Sequence, residues 1–112
     1  MNLTVDQVWD LAIAQCTYVA ENYKPGVNTV IDLKKEWLKK NGFAYLEGDC
    51  FFCQYAKDKG GAKCTFCPGK LVDPDFSCGH PDYKWDSKPV ALLAELKRLN
   101  AIRKAVPKFG YP

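Results

Sequence analysis

The sequence predicts a mainly α-helical domain: about three helices, a compact four-cysteine module inserted between the second and third, and little or no β structure. Three observations predict it. Apolar residues recur with a helical period over 3–23, 30–41 and 88–105. Five of the six cysteines and the only histidine crowd between Cys50 and His80. The length, 112 residues, suits one domain with a modest core.

Thr4 is placed as an N-cap for the first helix, and Gln7 three residues on completes a capping box. Val5, Val8, Trp9, Ala12, Cys16, Val19, Ala20 and Tyr23 share one arc, with Ile13 at its edge; Cys16 there reads as a buried structural thiol. Leu11, Ala14 and Tyr18 form a smaller apolar strip opposite, a candidate partner contact. Lys24-Pro25-Gly26 ends this helix. A second helix over 30–41, capped by Asn28 or Thr29 and stopped by Gly42, turns Val30, Ile31, Leu33, Trp37 and Leu38 inward. Lys34 projects from the middle of that apolar arc, where its stem can pack or its ammonium can face the thiols. Residues 43–46 read as a short extended run. Gln54 to Lys57 can wind one or two helical turns, Pro68-Gly69 turns the chain, and 71–86 is loop. Ser87 caps a last helix over 88–105, with Leu92, Leu93, Leu96, Leu99, Ile102 and Val106 inward. The units are therefore a helical pair (1–46), the cysteine module (47–86), the last helix (87–106) and a tail (107–112).

Cys50-x2-Cys53 and Cys64-x2-Cys67 repeat the spacing that lets two sulfurs of one turn reach a single ion. Zinc takes four soft, deprotonated ligands in a tetrahedron, so the module reads as a zinc-knuckle or ribbon-like site. It would hold one Zn2+ through Cys50, Cys53, Cys64 and Cys67, with Cys78 and His80 as alternates. Such a closed site leaves no open position for a substrate, and a single histidine is poor provision for catalytic zinc. The order Cys-x2-Cys-Pro, without His-x-Glu, is not that of a zinc deaminase. Neither cysteine pair follows a strand and opens a helix as thioredoxin-like redox pairs do. No enzyme activity is expected.

The formal charge of +3 is too small to argue for nucleic acid, and four thiolates around zinc would lower it to about +1. Lys57, Lys59, Lys63, Lys70, Arg98, Arg103 and Lys104 nevertheless form a candidate nucleic-acid or partner surface. Phe51, Phe52, Tyr55 and Phe66 could stack bases, though such aromatics more often form the core beside a zinc module. Met1-Asn2-Leu3-Thr4 runs into the amphipathic pattern with no apolar leader, and no run approaches membrane-span length. Reduced thiols in a cytoplasm are expected, and no membrane.

The run Cys50-x2-Cys53-Gln54-Tyr55-Ala56, Cys64-x2-Cys67-Pro68, Cys78-x2-Pro81-x-Tyr83-x-Trp85, with Leu33 to Leu38 ahead of it, resembles a group of small uncharacterised bacteriophage zinc-binding proteins. The resemblance spans residues 33 to 86 and does not include His80. It implies zinc binding and a phage accessory protein in the host cytoplasm. Such a protein would act by binding and modulating a host component of defence, transcription or replication. A nucleic-acid-binding zinc module is the alternative, and a sponge for a small anionic ligand a weaker one.

Overall fold

Thr4 starts the first helix, α1 (Val5–Asn22), as its spacing from Gln7 predicts. The Thr4 hydroxyl accepts from the Gln7 amide at 3.1 Å, and the Thr4 amide donates to Gln7 Oε1 at 2.8 Å. In a computed structural model describing residues 3–43, 46, 49–60 and 66–105, four more helices follow: α2 (Val30–Lys40), α3 (Phe51–Asp58), α4 (Pro68–Val72) and α5 (Pro89–Ala105). No strand occurs among the described residues.

Local chemistry sets the ends of α2. Thr29 accepts from the Asp32 amide at 3.1 Å. Gly42, at φ +79°, lets the Phe43 amide return to the Leu38 carbonyl at 2.9 Å, a Schellman closure. The expected run over 43–46 falls partly outside the described residues; Leu46 is fully buried. Two short elements exceed expectation. The helix after the first knuckle starts at Phe51, so it takes in Cys53. Pro68-Gly69 opens α4 rather than making a simple turn, because proline's fixed φ suits a first helical position.

α1 is the hub, packing against α2, α3 and α5, while α4 packs against α3 and α5. The main core gathers Val8, Trp9, Trp37, Leu38, Phe51, Phe52, Phe76, Leu96 and Leu99. Trp9 and Phe52 meet edge to face at 4.7 Å. A satellite cluster of Val19, Val30 and Leu33 lies beneath Trp85. The cysteine-bearing segments therefore lean on α1 and α5.

Two inward assignments change. Ile31 is exposed, because it sits at the edge of the α2 arc. Ile102 is partly exposed, and Arg103 takes its place on the inner face of α5 at only 7% exposure. Arg103 follows Leu96 and Leu99 by seven and four residues, so helical geometry puts it in that stripe despite its charge. Its guanidinium lies 5.5 Å over the Trp9 ring and donates to Asp6 at 2.5 Å and to Asn100. In the strip of Leu11, Ala14 and Tyr18, Ala14 is exposed, while Leu11 and Tyr18 pack against the core. Both are half-buried, and the Tyr18 hydroxyl bonds Glu36 and accepts from Lys40 of α2 at 3.1 Å. Val106 and the tail lie outside the described residues.

Candidate metal centre

Cys50 is the N-cap of α3, and Cys53 lies in the first turn. The approach is set by Asp49, which takes a left-handed φ of +53° that aspartate tolerates better than most residues. Gln15, almost fully buried on α1, donates from Nε2 to the Asp49 carbonyl at 3.1 Å and pins this turn. Gln15 went unnoticed in sequence as a supporting residue, although its spacing puts it in the middle of the buried face of α1.

The two thiols act as one unit. The Cys53 thiol hydrogen-bonds the Cys50 sulfur, and that bond above all holds the Cys50 thiol well below the ordinary thiol range. Burial opposes the shift; the Lys34 charge and the amides of Cys53 and Phe52 assist it. The same bond, with burial and the neighbouring sulfurs, pushes Cys53 upward.

The second knuckle is seen from its far half. Cys67 is the N-cap of α4; burial raises its thiol to about 11, while the Lys70 and Gly69 amides pull the other way. Cys64 and Lys63 lie outside the described residues. Phe76 rests on the Gly69 backbone so closely that a Cβ there would stand 2.5 Å from its ring. That contact brings the following loop back across the knuckle. The Cys78 carbonyl then accepts from the Trp85 amide at 2.9 Å.

Cys50, Cys53 and Cys78 line one cleft of about 250 Å³, otherwise mostly apolar and walled by Val19, Phe52 and Leu96. Lys34 shares it, with Nζ 5.0 Å over the Trp85 ring. The Lys34 charge thus faces the cysteine cleft, where it pulls the Cys50 and Cys16 thiols downward. Cys16 also borders the cleft, but its thiol donates to the Pro89 carbonyl at 3.6 Å and burial raises it to about 12. His80 is engaged in its own loop, where Nδ1 accepts from the Asp82 amide at 3.1 Å and the ring stacks on Tyr83 at 4.7 Å. Among the described residues, no three Cys, His, Asp or Glu side chains are grouped closely enough to hold a metal ion. The expected set of Cys50, Cys53, Cys64 and Cys67 cannot be traced as a whole, since one member lies outside those residues.

The basic surface disperses. Arg103 is buried, and Arg98 pairs with Glu95 and, at 3.4 Å, with Asp73. Lys59 lies over the Tyr55 ring, Lys70 is half-buried, and Lys57 and Lys104 are exposed. Phe51, Phe52 and Tyr55 are buried and serve the core, while Phe66 is half-buried. Cys50-x2-Cys53 does open a helix, contrary to the sequence reading, but no strand leads into it among the described residues. No helix among them is long and apolar enough to cross a membrane.

No protein-family model, curated protein or solved structure matches this chain.

Proposed function

We propose that this protein is a small non-enzymatic zinc-binding module that works by contact with another macromolecule. The observation that supports the reading is the doubled spacing Cys50-x2-Cys53 and Cys64-x2-Cys67, with the Cys53 thiol hydrogen-bonded to the Cys50 sulfur at the start of α3. Zinc would be held by Cys50, Cys53, Cys64 and Cys67, with Cys78 and His80 as alternates. Bound there, it would cross-link α3, α4 and the loop behind them. A four-thiolate shell has no vacant position, so the ion would be structural.

The partner is proposed to be a host protein, on the strength of the resemblance to phage accessory proteins. The nucleic-acid alternative loses support from the pairing of Arg98, the burial of Arg103 and the inward aromatics. Elemental analysis of protein purified without added metal tests the first half, with about one zinc per chain expected. Titration with single- and double-stranded nucleic acid over a range of salt tests the second. Weak binding is expected; micromolar binding that falls steeply with salt would overturn the host-protein reading.

A further inference from the structure

We infer that the cleft walled by α1, α2, the start of α3 and α5 binds a small amphipathic carboxylate, its tail buried in the cleft and its head on Lys34. The inference goes beyond the contact role proposed above and does not need a metal. It rests on the size of the cleft, on what lines it and on the charge at its edge.

The size follows from the packing. α2, α3 and α5 all pack against α1, and Trp85 of the loop before α5 lies on the cluster of Val19, Val30 and Leu33. The space left between these elements is about 250 Å³. That is just below the usual range of ligand pockets, about 300–1,000 Å³, so the ligand is small. At about 30 Å³ for each water-sized group it holds about eight of them, the bulk of a medium-length alkyl chain.

The lining decides the tail. Val19 of α1, Phe52 of α3, Phe76 and Trp85 of the loops, and Leu92 and Leu96 of α5 give apolar wall on every side. Atoms facing an empty apolar cavity lack dispersion partners, and water makes too few bonds there to compensate. An alkyl tail restores those contacts and leaves no polar group buried without a partner.

The charge decides the head. Lys34 lines the cleft and is half-buried, with its ammonium 5.0 Å over the Trp85 ring. Among the described residues no Asp or Glu lines the cleft, and none forms an ion pair with Lys34. The other ionisable groups on the walls are thiols, of which Cys50 competes for the Lys34 charge. A carboxylate shares the lysine with that sulfur, which holds the expected affinity to about 10–100 µM, well inside the per-atom ceiling for so small a ligand. A neutral head would gain no ion pair, and an ammonium head would be repelled.

Isothermal titration calorimetry of the full chain with octanoate, octanol, octylammonium and butyrate tests the site. Octanoate should bind once per chain, octanol more weakly and octylammonium weakest. Butyrate, four methylenes shorter, should bind about 200-fold more weakly, since each buried methylene carries about fourfold. Lys34→Met keeps an apolar stem and removes the charge. It should weaken octanoate by about 10–100-fold, the range of a charged hydrogen bond, and leave octanol unchanged. Lys34→Arg should restore most of that loss. Leu92→Trp, at a half-buried position of the wall, should fill the cleft and abolish binding of both. Its fold is checked by circular dichroism; if it fails to fold, the two Lys34 variants decide. Octanoate affinity unchanged in Lys34→Met would overturn the role of the charge, and unchanged binding in a folded Leu92→Trp would overturn the site. Wild type that takes up no octanoate, or takes up octylammonium equally well, would overturn the proposal as a whole.

Discussion

The two ends of the molecule are held together by different means. The helical frame of α1, α2 and α5 has a closed capping box, a Thr29 cap and a Schellman stop, and it buries Trp9, Trp37, Leu96 and Leu99. The cysteine-bearing part has two short helices, α3 and α4, each headed by a cysteine that makes no side-chain capping bond. Helices of eight and five residues cannot stand on their own backbone bonds, because nucleation is costly. Phe51, Phe52 and Phe76 bind this part to the frame. The frame rests on its own caps and apolar burial, whereas the other part holds its short helices by packing on that frame.

Removing the metal is the strongest challenge to that contrast. Chelation of a zinc-loaded sample should cost up to about 10 kcal/mol of apparent stability and remove helical circular dichroism from α3 and α4 first. An equal melting curve with and without chelator would show that the two parts are not different in kind. Gly69→Ala comes next. The added methyl would collide with Phe76, at a cost of about 1–3 kcal/mol in chemical denaturation, and zinc affinity should fall with it. Thr4→Ala acts on the frame alone. Loss of the cap should cost about 1 kcal/mol and leave zinc affinity unchanged, which separates the two parts cleanly.

The smallest effect at neutral pH belongs to Cys16. Burial lifts its thiol from the ordinary 9.0 to about 12, so the folded state keeps it neutral. Its contribution is intact below about pH 9 and is lost as the pH rises toward 12, because the unfolded chain ionises first. The difference in urea midpoint between wild type and Cys16→Ala should therefore shrink over that range. At pH 8 the Cys16 thiol should resist alkylation, read by mass spectrometry; rapid labelling in the folded protein would contradict its burial.

Much of the frame was legible in the chain itself. Thr4, Gln7, Thr29 and Gly42 mark helix ends through bonds between residues three to five apart, and such bonds can be read without knowing the fold. The period of Val8, Trp9, Ala12, Cys16 and Val19 marks the buried face for the same reason. The pairing of Cys50 with Cys53 is equally local. Gln15 and Arg103 were not legible as buried residues, because their polarity argues for water until Asp49, Asp6 and Trp9 supply partners from elsewhere in the chain. The same holds for Lys34, whose place over Trp85 depends on a contact 51 residues away. By itself the sequence determined a helical protein, its helix ends and most of its buried faces, since those features are set within a turn or two. Which surfaces close on one another was decided only by the tertiary structure. Phe76 on Gly69 and Cys78 beside Cys53 depend on shape complementarity between segments far apart in sequence, and no short-range pattern encodes that.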